Sequence, residues 1–120
     1  MSKLNKYKAP IPIEKTGTSD LIKLKHKFDI SLYELAELAL EHSGSAQVAR
    51  GFLLNLRTDA KAYETYFKLS TLRKFDHINR QNAFNILNII LMTYDGLSSY
   101  IDDDQYWDDI KEYYDEVANS

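Results

Sequence analysis

The chain contains no cysteine, only two prolines and only four glycines in 120 residues. Without a thiol there can be no disulfide framework and no thiolate ligand or nucleophile, a pattern that fits a reducing compartment. So little proline and glycine leaves few turns, and the residues must go into long regular elements. Long apolar runs are missing as well. The longest, around Ile86 to Met92, is interrupted by Asn88 and falls far short of the roughly 18 residues of a membrane span. The opening Met-Ser-Lys-Leu-Asn-Lys lacks the apolar stretch of about 7–15 residues that a signal peptide needs. These absences predict a soluble, cytoplasmic protein with no membrane partner.

Catalytic patterns are also wanting. His26, His42 and His77 lie far apart, and none belongs to an H-E-x-x-H or similar metal spacing. Ser43-Gly44-Ser45 lacks the flanking residues of a G-x-S-x-G nucleophile elbow, and helix capping accounts for all three. Gly44 and Gly51 are followed by no Gly-Lys-Ser/Thr, so no phosphate loop is present. The expectation is a protein that is not an enzyme and holds neither metal nor cofactor.

What the chain does contain is charge sorted by position. Residues 1–27 carry seven lysines against Glu14 and Asp20, and residues 28–92 balance seven bases against seven acids. Residues 93–120 carry nine acids against Lys111 alone. The net charge of −3 thus hides a cationic head (+5) and an anionic tail (−8), an asymmetry that points to a charged partner. Composition is otherwise that of one globular domain, 44% hydrophobic and 28% charged.

Hydrophobic spacing predicts an all-α, compact bundle of four to six helices with an extended basic N-terminal arm. Residues 1–20 read as the arm, because Pro10 and Pro12 favour extended backbone and Lys15 to Ser19 reads as a loop. Residues 21–120 read as a single helical domain. Leu21 to Phe28 fits a strand or one helical face behind Ser19 or Asp20, and we take it as a short helix. Ser31-Leu32-Tyr33-Glu34 has the pattern of a capping box, with Leu32, Leu35, Ala36 and Ala39 on one face and Gly44 as a left-handed stop. Ser45 would cap a second helix with Val48, Ala49, Phe52, Leu53 and Leu56 inside, giving a hairpin over Ser31–Arg57. Thr58 to Tyr66 could extend that helix or form a separate turn, and Ser70 to Phe75 reads as a short helix. Asp76 caps a helix over about 77–94, whose apolar 86–92 segment is central or a dimer seam, with Asn88 turned inward. A last helix, about 103–117, buries Trp107, Ile110, Tyr114 and Val117.

Over residues 36–91 the chain resembles a small uncharacterised helical domain family of bacterial genomes and mobile elements. The resemblance is carried by Ala39-Leu40, by Ser43-Gly44-Ser45-Ala46-Gln47-Val48-Ala49-Arg50-Gly51-Phe52-Leu53-Leu54, and by Phe67 to Leu72 with Phe75-Asp76. It implies a helical fold and no chemistry. Where that family often has paired arginines before Val-Ala, this chain has Ala46-Gln47.

Three surfaces follow. On the last helix Asp108, Glu112 and Asp115 lie opposite the buried stripe, Asp109 and Glu116 lie beside them, and Tyr106 and Tyr113 are expected half-exposed at its flanks. Carboxylates three or four residues apart sit about 5–6 Å from each other, a dense anionic row of the kind a nucleic-acid backbone presents. Tyrosine is a common interface anchor. These seven residues are the expected contact with a basic protein partner, and a mobile-element origin suits an anti-CRISPR-like inhibitor or adaptor of a nucleic-acid-handling protein. The second surface is the lysine arm, Lys3, Lys6, Lys8, Lys23, Lys25 and Lys27, which would bind nucleic acid through phosphate contacts. With no arginine and only Tyr7 and Phe28 to stack, that is the alternative reading. Folding the arm onto the acidic tail is another. Third, Asn79, Arg80 and Gln81 form a polar helix start. A homo-oligomer built on the 86–92 segment is a further alternative.

Overall fold

The computed structural model describes residues 2–57, 69–93 and 95–120. Among these residues there are four α-helices and no strand: α1 (Ser19–Leu38), α2 (Gly44–Leu56), α3 (His77–Met92) and α4 (Asp104–Ala118). Single 3-10 turns occur at Lys3–Lys6, Leu69–Lys74 and Leu97–Ser99. The radius of gyration, 13.7 Å, matches the roughly 14 Å expected of a folded domain this long. The fold is all-α, as the spacing predicts. The expectation for Thr58 to Tyr66 lies outside the described residues.

Helix α1 starts twelve residues before the predicted capping box. Gly17 turns the chain with φ +112°, a backbone that L side chains rarely adopt, and a Cβ there would meet Leu21 Cδ2 at 2.6 Å. Thr18 then caps the helix, its Oγ1 accepting from the Leu21 N–H at 3.3 Å. Ser31 and Glu34, read as a cap, instead sit mid-helix on the face that meets α3. Ser31 Oγ donates to Asn82 Oδ1 at 3.0 Å and accepts from Asn85 Nδ2 at 3.0 Å. Asn82 Nδ2 donates to Glu34 Oε2 at 2.7 Å. The i, i+3 spacing that imitates a capping box therefore serves partners on another helix. Burying Ser31 and Asn82 is tolerable because each finds a partner.

Gly44 does not stop α1 either, since it is the first residue of α2 and has no positive φ. Ser43, not Ser45, caps α2, with its Oγ accepting from the Ala46 N–H at 3.1 Å. The carbonyls that end α1 are closed by the backbone that follows and by two other helices. Ala39, Leu40 and Glu41 N–H groups donate to Leu35, Glu37 and Leu38 O. Tyr106 of α4 donates its hydroxyl to Ala36 O at 2.7 Å. Arg50 of α2, 1% exposed, donates from Nη1 to Ala39 O at 3.0 Å and Glu41 O at 2.7 Å. A helix end leaves four carbonyls without intrahelical partners, and all of these are satisfied.

Around this junction α1 packs chiefly on α3 and α2 on α4, over one core that includes Phe28, Leu35, Phe52, Leu53, Ile86, Tyr106 and Ile110. One expectation fails at a helix end and another within a helix. Val117 is 49% exposed, because α4 stops one residue later and outruns the core. In the 86–92 segment Ile86 and Ile89 are buried, while Leu91 is 81% and Met92 57% exposed. Asn88 faces solvent, not inward; Asn82 takes the inward place, because residues three apart wind round a helix of 3.6 residues per turn.

Replacing Arg50 by methionine keeps the apolar stem but orphans the Ala39 and Glu41 carbonyls. We expect a loss of about 2–4 kcal/mol, measured as a lower urea midpoint with the same slope.

Candidate interaction surface on the last helix

Helix α4 is set by its first turn. Asp103 caps it, its Oδ1 accepting from the Gln105 N–H at 3.0 Å and the Tyr106 N–H at 3.2 Å. Negative charge is favoured at this end by the helix dipole. From there, at about 100° per residue, Tyr106, Trp107 and Ile110 point into the core. Trp107 Nε1 donates to Ile101 O at 2.9 Å, and Gln47 of α2 donates from Nε2 to Tyr114 O at 3.0 Å.

The structure divides the seven predicted contact residues. Tyr106 is not half-exposed: it is fully buried, because its hydroxyl finds Ala36 O and its ring packs edge-on against Tyr7 at 5.4 Å and Trp107 at 5.6 Å. It belongs to the core and offers a partner nothing. Asp109 is engaged from both sides, accepting from Tyr7 Oη at 2.6 Å and Gln105 Nε2 at 2.7 Å. Tyr113 is half-buried and turned to the opposite edge, its ring 5.8 Å from His42 and 6.0 Å from the Arg50 guanidinium carbon. Asp108, Glu112, Asp115 and Glu116 remain together, lining with Lys111 and Asn119 an open groove of about 490 Å³. Lys111 Nζ pairs with Asp115 at 2.9 Å. Asp108, Glu112 and Glu116 have no hydrogen bond or ion pair among the described residues.

The predicted lysine set is dispersed. The arm is extended but fastened: Leu4 and Ile13 are buried, Ile11 N–H donates to Tyr100 O at 2.7 Å, and Ile13 N–H to Asp29 Oδ1 at 3.0 Å. Its contacts with α4 run through Tyr7 and through the Lys8 backbone N–H, which donates to Asp103 Oδ2 at 2.8 Å. That bond is the main reason the Asp103 carboxyl is held below its ordinary value. Lys15 pairs with Asp29, and Lys25 Nζ returns to Thr16 O at 2.6 Å. Lys23 and Lys27 share one side of α1, with Lys25 about 200° away. Lys3 and Lys6 lie elsewhere again, beside His42 and Tyr113. Sequence reading missed this last grouping, because no local pattern links residue 3 to residue 113.

Among the described residues no group of three or more His, Cys, Asp or Glu side chains is placed to hold a metal ion, and no helix is long and apolar enough to cross a membrane. Comparison with known proteins gives no match: no family model fits the chain, and neither a curated protein nor a solved structure does. These comparisons bear in neither direction on the resemblance over residues 36–91.

Burial raises the Tyr7, Tyr100 and Tyr106 hydroxyls above the ordinary tyrosine value, with the bond to Asp109 adding to the effect at Tyr7. A group raised in the folded state contributes stability in full below its unfolded value, about 10 for tyrosine, and loses it as the pH climbs toward the folded value. We therefore expect stability to fall as pH rises beyond about 10. In a tyrosinate absorbance titration these three phenols should ionise only as the helical signal is lost.

Proposed function

We propose that this protein is a non-enzymatic recognition module that offers the outer face of α4 to a protein partner with a basic surface. One observation carries the reading: Asp108, Glu112 and Glu116 succeed one another at four-residue spacing, exposed and making no hydrogen bond or ion pair among the described residues, with only a coulombic pull between Glu116 and Arg50. That arrangement works against the helix that bears it. Like charges at i, i+4 cost about 0.2–0.5 kcal/mol a pair. Asp115 and Glu116 also stand near the negative end of the dipole, with no basic residue in the last turn. Interspersed charges of both signs would give solubility without these costs. A row of carboxylates becomes favourable when a cationic surface covers it. A groove shaped for a nucleic-acid backbone is such a surface, and an inhibitor or adaptor acting there joins the row to the mobile-element resemblance.

The test uses the whole chain, immobilised, with a bacterial lysate passed over it at low salt. We expect a basic protein to be retained, to elute as salt rises, and to be displaced by duplex DNA. Asp108→Lys, Glu112→Lys and Glu116→Lys together should weaken its binding at least about tenfold while circular dichroism stays unchanged. Equal retention by the triple variant would reject the reading.

A further inference from the structure

Lys3 and Lys6 belong to a 3-10 turn, in which side chains three apart eclipse one another. Both ammonium groups therefore project to the same side. There, with His42 from the α1–α2 connection and Tyr113 of α4, they line a half-open cavity of about 160 Å³, together with Tyr7 and Leu40. Among the described residues no carboxylate lines this cavity, and neither lysine has an ion-pair partner. Asp109, four residues before Tyr113 on α4, has both oxygens occupied by Tyr7 and Gln105. Nor is the turn a loose end. Ser2 Oγ caps it by accepting from the Leu4 N–H at 3.2 Å, Leu4 is 3% exposed, and Tyr7 is anchored on α4. A preformed site spends little ordering entropy when an anion arrives.

We infer that this cavity binds a phosphate monoester. Its volume is about half the lower end of the 300–1,000 Å³ typical of whole small-molecule sites, so it takes one charged headgroup and leaves the rest of the ligand outside. Two lysine ammonium groups act as point charges suited to a phosphate dianion. The Tyr113 hydroxyl makes no hydrogen bond among the described residues and supplies a further donor. A phosphodiester carries a single charge and continues at both ends, which matches a row of cations more than one pair. The site is independent of the acidic groove, which lies on another side of α4.

The experiment is an amide-resolved NMR titration of the full chain with phenyl phosphate, alongside dimethyl phosphate and benzoate. We expect saturable shifts at Lys3, Lys6, His42 and Tyr113 with phenyl phosphate and markedly weaker responses to the other two. The Lys3→Gln/Lys6→Gln double variant, whose side chains are exposed, should keep the wild-type spectrum elsewhere and bind about tenfold more weakly. Absence of saturable shifts, unchanged affinity in the double variant, or equal binding of benzoate would each overturn the inference. Equal binding of dimethyl phosphate would overturn it too and return the lysines to nucleic-acid backbone contact. The triple reversal on α4 should leave phenyl phosphate bound, so either hypothesis can fail alone.

Discussion

The carboxyl end of α1 is the point on which the molecule turns. Six carbonyls at and just past the end of the helix, those of Leu35, Ala36, Glu37, Leu38, Ala39 and Glu41, have donors. Each is met: three by the following backbone, one by the Tyr106 hydroxyl, two by the Arg50 guanidinium. Because the donors come from α2 and α4, satisfying one helix end fixes the positions of two others. Arg50 is buried at a desolvation cost, which also lowers its pKa, opposed by the nearby Tyr106 and Tyr113 rings and by Glu116. A guanidinium tolerates this better than an ammonium would, being more weakly hydrated and able to hold two acceptors in one plane.

From that junction the placement of the surfaces follows. Tyr106 goes inward to reach Ala36, and so α4 is rotated with Asp108, Glu112, Asp115 and Glu116 outward and Tyr113 at one edge. Tyr7 packs on the Tyr106 ring and takes Asp109, which carries the basic turn to the Tyr113 edge. The charge separation along the chain is therefore kept in space. Among the described residues head and tail touch through the Tyr7 phenol and the Lys8 and Ile11 backbone amides, with no lysine–carboxylate ion pair between them, and Lys3 and Lys6 lie on a different side of α4 from the acidic row.

Much of this was legible in the residues. Apolar spacing placed α3, α4 and the core face of α2, because burial of one stripe dictates a 3.6-residue period. Charge counting found the acidic face of α4. What misled was polar residues whose partners are distant. Ser31 and Glu34 have the spacing of a cap, and only α3, some fifty residues away, shows that they are interface groups. Gly44 after His42-Ser43 resembles a stop, yet Arg50 and Tyr106 closed α1 and freed it to begin α2. Tyr106 looked like a flank residue because nothing in its neighbourhood announces a bare carbonyl at Ala36. The grouping of Lys3 and Lys6 with His42 and Tyr113 is wholly tertiary.

The two surfaces share a single support in Tyr7. Its hydroxyl removes Asp109 from the anionic row, and its ring, held on Tyr106, sets where the Lys3–Lys6 turn comes to rest. Were that phenol displaced, Asp109 would lose one of its two donors and the Lys3–Lys6 turn would lose its anchor on α4. The same contact thus limits one surface and completes the other. It is held by burial and by one short hydrogen bond, whose neutral donor is favoured because burial and the adjacent carboxylate both oppose ionisation of the phenol. At neutral pH the arrangement is therefore well inside its range, and the arm acts as a structural element of the bundle.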